Sequence, residues 1–149
     1  MSKITKGSRD QQPFSIREQY VSAVICYEVV YPDLVARNTL DSSLIVTVSN
    51  DTWFGRSLGP IQHMQMVRMR AIENAKPVVR ATNNGITGFV DFKGHLEASL
   101  DRGMKSTLSG TVQPRTGYTP FAIFGSWPII IFSMLSCLAL VILRSKLEP

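Results

Sequence analysis

From Phe121 to Leu143 the chain runs 23 residues without a charge, and Trp127–Leu143 is its most apolar part. Roughly 20 apolar residues are enough to cross a bilayer as a helix. Trp127 stands near one end and Arg144 and Lys146 follow the other, as an interfacial aromatic and a positive-inside flank would. The pattern predicts a transmembrane helix over 121–143 and a cytoplasmic tail over 144–149. A buried core helix is the alternative for such a run. What precedes it, about 120 residues, has the length of a single domain.

With 44% hydrophobic and 18% charged residues, the 149-residue chain is not of a disordered composition. Its formal charge of +5 is spread thinly over Lys3, Lys6, Arg9, Arg17, Arg37, Arg56, Arg68, Arg70 and Arg80. No dense basic run and no nucleic-acid signature accompanies it, so a face toward anionic lipid is the more economical use. The only cysteines are Cys26 and Cys137, and Cys137 lies inside the apolar tail, which argues against a disulfide between them. His63 and His95 are the only histidines and lack metal-ligand spacing, so no metal or other cofactor is expected.

Within the domain, Tyr20–Glu28 (YVSAVICYE) reads as a short buried strand formed by Val21, Ala23, Val24 and Ile25. It stops at Cys26, two residues before Glu28. In open α/β architectures chemistry is placed at the C-terminal edge of the strands, which makes this thiol a candidate nucleophile. A small buried hydrophobe is the competing reading of an unpaired cysteine. Pro32–Asn38 predicts a short helix and Leu44–Ser49 the clearest strand. Asn50–Pro60 reads as a loop whose Trp53 and Phe54 either plug a gap beneath it or line a pocket, with Gly55 and Gly59 permitting close approach.

Ile61–Ala75 predicts a helix with Ile61, Met64, Ala71, Ile72 and Ala75 on one face, ended by Lys76-Pro77. Arg68 falls on that stripe and needs a partner from elsewhere in the fold. Glu73 has Arg70 as its intrahelical partner, and Met64, Met66 and Met69 read as core filler. Val78–Ala81 is a further strand. Ile86–Asp91 and His95–Ser99 form a hairpin about Phe92-Lys93-Gly94, and Leu108–Val112 is a last strand. Met1–Pro13 is a polar lead-in without a secretory signal.

ICYE at 25–28, SNDTWFG at 49–55, GPIQHMQMVRMR at 59–70 and AIENAKPVVRATNNGIT at 71–87 together resemble the apolipoprotein N-acyltransferases. These are membrane-bound members of the nitrilase, or carbon–nitrogen hydrolase, superfamily. The resemblance runs from about Thr5 to the C-terminus. It implies an α/β fold: the second half of a nitrilase-like α-β-β-α sandwich over 14–120, then one transmembrane helix. It also implies acyl transfer through a cysteine thioester, from a membrane phospholipid to the α-amine of a lipid-modified N-terminal cysteine of an apolipoprotein. By that resemblance Cys26 matches the nucleophile, and Tyr27 and Glu28 match an adjacent functional pair in which Glu28 supports the site. Asn50, Trp53 and Phe54 would border the acyl chain or substrate. The implied setting is the bacterial inner membrane with the catalytic part periplasmic, and with no nucleic-acid partner.

The family's general-base glutamate and oxyanion-stabilising lysine lie N-terminal to the nucleophile strand. Before Cys26 this chain offers only Glu18, Lys3 and Lys6, none in a matching context. The expectation is therefore a C-terminal segment, inactive alone, that works with an upstream half of the same enzyme. A catalytically incomplete remnant or membrane-anchored interaction module is the alternative. A soluble amidase of the superfamily is disfavoured by the apolar tail.

Overall fold

The computed structural model of the chain describes residues 7–147. The elements, in order, are β1 (Phe14–Ile16), β2 (Gln19–Ile25), α1 (Pro32–Thr39), β3 (Leu44–Asn50), α2 (Gly59–Asn74) and β4 (Val78–Asn83). They continue through β5 (Gly88–Val90), β6 (Leu96–Ser99), α3 (Pro120–Phe124) and α4 (Trp127–Leu147). Single 3₁₀ turns occupy Cys26–Val30 and Asp51–Phe54. Residues 1–6 of the polar lead-in lie outside the described residues, and 7–13 form no helix or strand.

The six strands lie side by side in chain order. β2, β3 and β4 are mutually parallel, while β1 and the β5–β6 hairpin add antiparallel edges. Parallel neighbours need a crossover, and here α1 and α2 supply it. Both helices pack on one face, over a core built from Val24, Ile45 and Val78 of the sheet, Val35 of α1, and Met64, Val67 and Ala71 of α2. On the opposite face Ala23, Val46, Val79 and Phe89 are half-buried, whereas Ile25, Val48 and Ala81 at the C-terminal edge are exposed.

α2 buries a different stripe from the one its apolar residues suggest. Pro60, His63, Met64, Val67, Arg70, Ala71 and Asn74 face inward, while Ile61 and Ile72 are 42% and 46% exposed. The face is rotated because its polar members each find a buried partner. His63 meets Asp51, and Asn74 lies 3.0 Å from the Thr39 hydroxyl that donates to it. Arg70 pairs with Glu73 at 2.8 Å, as the i,i+3 spacing predicts. Arg68 is half-buried and donates to the Gly94 carbonyl of the hairpin at 2.6 Å and to Gln65 at 2.9 Å. Met64 is buried, but Met69 is exposed and fills no core. Buried Lys76 donates to the carbonyls of Thr39 and Leu40, tying the end of α1 to the segment after α2, and burial pushes its ammonium down to about 8.

Two expectations are corrected here. Leu108–Val112 is not a strand: residues 103–119 follow no regular element. Gly110 instead presses on the Phe89 ring, where a Cβ would come within 2.5 Å, and Arg115 reaches Ser43 by a 2.9 Å backbone bond and stacks over Phe92 at 3.7 Å. The apolar tail is also not one helix from Phe121. α3 ends at Gly125, whose φ of 57° belongs to the left-handed region that favours glycine. Ser126 then donates from its N–H and hydroxyl to the two Asp33 carboxylate oxygens, at 2.7 and 2.9 Å, and α4 starts at the next residue. α4 is apolar and has no buried residue over Trp127–Arg144, the one helix among the described residues long and apolar enough to cross a membrane. Its 21 residues rise about 30 Å at 1.5 Å each.

Candidate active site at the edge of the parallel strands

β2 ends abruptly. Ile25 is still extended, with φ −101°, and the next residue, Cys26, takes a φ of 52°. A non-glycine residue held there costs on the order of 1 to 3 kcal/mol and persists only where its surroundings enforce it. The enforcing group is Glu28, whose carboxylate accepts the Ile25 N–H at 2.7 Å and closes the turn into the 3₁₀ segment. A strand–turn–helix bend of this kind lifts the side chain at its apex out of the sheet edge. Cys26 is half-buried there, beside an open depression whose walls include Ile25, Val48, Ala81 and Asn83.

The parallel register decides what lies next to the thiol. Ile25 pairs with Val48, and Ser49 with Thr82, so the following row brings Cys26, Ser49 and Thr82 together. Ser49 Oγ lies 3.5 Å from Cys26 Sγ and 2.6 Å from Asp51 Oδ1. Asp51 is only 1% exposed, and its other oxygen accepts from Arg80 Nη2 at 2.8 Å. His63 Nδ1, from α2, is 3.0 Å from both Asp51 Oδ1 and Arg80 Nη2. A proton on Nδ1 serves Asp51, whereas a bare Nδ1 accepts from Arg80, so the cluster accommodates either tautomer. Burial raises the Asp51 carboxyl, but Ser49, Arg80 and His63 outweigh it and hold it below the usual carboxylate value. The Asn84-Gly85 turn closes over this carboxylate, and a Cβ at Gly85 would fall 2.2 Å from Asp51 Oδ2.

The remaining residues singled out from sequence separate. Tyr27 is exposed, edge-on to Tyr31 with ring centroids 6.2 Å apart and 6.3 Å from His63. Asn50 caps the Asp51–Phe54 turn by accepting the Thr52 N–H. Phe54 is half-buried, packs edge-on against His63 at 6.0 Å and abuts Gly59. Trp53, by contrast, plugs nothing: it projects from the loop, 85% exposed. Ser49, Asp51, His63 and Arg80 were not singled out. The available signal was the polar alternation Thr47, Ser49, Asp51 along an otherwise apolar strand, matched by Arg80 and Thr82 on the next. No group of three or more His, Cys, Asp or Glu side chains that could hold a metal occurs among the described residues.

Glu28 thus has a defined structural duty, and its substitution is informative. A Gln side chain keeps an oxygen for the Ile25 N–H, so Glu28→Gln should leave the circular-dichroism spectrum and melting temperature close to wild type while impairing the turnover measured with the upstream half present. Normal turnover in that variant would reduce Glu28 to a turn fastener.

The sequence profile of the carbon–nitrogen hydrolase family matches residues 2–120. The apolipoprotein N-acyltransferase of Pseudomonas syringae pv. tomato is 42% identical over 135 residues, covering 91% of this chain and 27% of that protein. The enzyme of that name from Pasteurella multocida is 43% identical over 136 residues, again 91% of this chain and 26% of the relative. The chain therefore spans about a quarter of the length of these relatives. Among solved structures, a CN-hydrolase superfamily protein of Xanthomonas campestris superposes with a TM-score of 0.57 at 19% identity, over 68% of this chain and 43% of that one. Saccharomyces cerevisiae Nit3, of the nitrilase superfamily, gives 0.56 at 17% identity over 68% and 40%. These two share the fold. By the match across 2–120 and the parallel-strand architecture that carries Cys26, the chain belongs to the carbon–nitrogen hydrolase family.

Proposed function

We propose that this chain supplies the nucleophile-bearing part of an apolipoprotein N-acyltransferase. The observation that carries the reading is Cys26, held at a positive φ on the C-terminal edge of β2, within a chain 42% identical to relatives of that name. In the first half-reaction Cys26 Sγ bonds to the ester carbonyl carbon of a phospholipid. The ester C–O bond breaks, the thiol proton passes to the departing glycerol oxygen, and a lysophospholipid leaves. In the second, the α-amine of a lipidated N-terminal cysteine attacks the thioester, an amide forms, the C–S bond breaks and the thiol is restored. Cys26 is the nucleophile, with Tyr27 and Glu28 beside it. Asn50, Trp53 and Phe54 border the acyl chain, with exposed Trp53 offering it an apolar surface.

Under this reading the general base and the oxyanion lysine come from an upstream half of the enzyme. The chain's short span of its relatives supports that, as does the exposed apolar edge of Ile25 and Val48. α4 would lie in the inner membrane, with the catalytic part on the periplasmic side. The test is an N-acylation assay on a diacylated lipopeptide with phospholipid vesicles, run with the chain alone and with a co-expressed upstream half from the Pseudomonas syringae relative. Activity only in the presence of the upstream half is the expected result. Robust transfer by the chain alone would show that its own residues suffice, and no transfer in either case would overturn the assignment.

A further inference from the structure

The polar cluster beneath the candidate nucleophile is costly. Asp51, His63 and Arg80 are each at most 2% exposed, and burying an ion pair of this kind is weak evidence of a gain in stability. The cluster has one outlet to the sheet edge, the Ser49 hydroxyl, which lies between Asp51 Oδ1 at 2.6 Å and Cys26 Sγ at 3.5 Å.

A hydroxyl has one proton to donate and two lone pairs to accept with. Beside a neutral thiol, Ser49 donates to Asp51 and accepts from the S–H. Beside a thiolate, the same proton can turn to the sulfur. That rotation ordinarily strips a buried carboxylate oxygen of its donor. Here it does not when His63 carries its proton on Nδ1: that nitrogen then donates to Asp51 Oδ1 at 3.0 Å, while Arg80 holds Oδ2 at 2.8 Å. Arg80 anchors Oδ2, and the Gly85 backbone packs close to that same oxygen, where a Cβ would fall 2.2 Å away.

We propose that Ser49 is a positioning residue for Cys26, a rotating hydroxyl that supplies a hydrogen bond to the sulfur when it ionises, with Asp51, His63 and Arg80 as its fixed seat. The inference deepens the reading of Cys26 as nucleophile and rests on it for its role in acyl transfer. Its test does not need acyl transfer to occur. The full chain in detergent is treated with iodoacetamide, and alkylation of Cys26 and of Cys137 is followed separately by peptide mass spectrometry. Cys137, on α4, serves as the internal standard.

Ser49→Ala should slow Cys26 alkylation about tenfold or more, the worth of a hydrogen bond to a charged group, and leave Cys137 unchanged. The isosteric pair Ser49→Thr and Ser49→Val removes the question of packing, since only the former keeps a hydroxyl. Thr should restore most of the rate and Val should not, a contrast that stands even if the alanine variant folds poorly. Equal rates in Thr and Val, or an undiminished rate in Ala, would overturn the proposal. An N-acylation assay on Cys26→Ala, run with the upstream half present, separates the two ideas: transfer surviving that change removes Cys26 as the nucleophile while leaving the effect of Ser49 on its reactivity intact.

Discussion

Replacing Cys26 with alanine is expected to eliminate the acyl-enzyme altogether. With the upstream half present and phospholipid as donor, intact-protein mass spectrometry should find an acyl adduct on the wild-type chain, discharged by hydroxylamine as a thioester is. Cys26→Ala should lose it completely, because no other group at the sheet edge is a nucleophile of comparable strength. Ser49 has its hydroxyl 3.5 Å from the Cys26 sulfur, but with no thiolate beside it that hydroxyl keeps its proton on Asp51 at 2.6 Å. Cys137→Ala should keep the adduct in full, since that thiol lies midway along the exposed α4 and not at the edge of the parallel strands. An adduct that survives Cys26→Ala would end the assignment of this residue.

The second large effect concerns stability. Arg80 is 1% exposed, and Asp51 is the one carboxylate at ion-pair distance among the described residues. Asp51→Ala should therefore cost about 3 to 5 kcal/mol, the penalty for stranding a buried charge, read as a lower urea midpoint in the detergent-solubilised chain. Pairing it with Arg80→Met should recover part of that loss, because an apolar replacement of the whole pair strands nothing. The pH dependence has a definite sign. The folded Asp51 carboxyl sits below its unfolded value, so its contribution is present above about pH 3.8 and is lost as the pH falls through the folded value. That part of the acid sensitivity should be missing in Asp51→Ala. An Asp51→Ala chain as stable as wild type would show that Arg80 finds other compensation.

Much of the fold was legible because its elements are locally consistent. β2 and β3 are β-branched runs, α1 begins at a proline, and α2 ends where Lys76-Pro77 forbids more helix. Local pattern failed where long-range partners decide. Apolarity alone put Ile61 and Ile72 inward, but the inward face was claimed by His63, Arg70 and Asn74, whose partners come from other elements or other turns of the helix. β1 went unseen because Phe14–Ile16 is exposed throughout and owes its form to pairing with β2. At the site, the place of Cys26 at the end of β2 was readable from the apolar run before it, whereas the turn that Glu28 closes was not. The Ser49–Asp51–His63–Arg80 cluster was not, since its members span 32 residues of sequence and meet only through the parallel register and the α2 crossover.

The clasp between Asp33 and Ser126 couples two parts of the molecule mechanically. Asp33 opens α1, on the side of the sheet where β2 delivers Cys26, and both its oxygens hold the residue before α4. A two-point grip of this sort transmits orientation, which a flexible linker would not. In a bilayer, α4 would then act as a keel: the tilt of the helix would set the height of the thiol above the headgroups. Under the proposed reading of Cys26 as an acyl-accepting nucleophile, loosening the clasp would leave the thiol's own surroundings untouched and change the depth from which it draws an acyl chain.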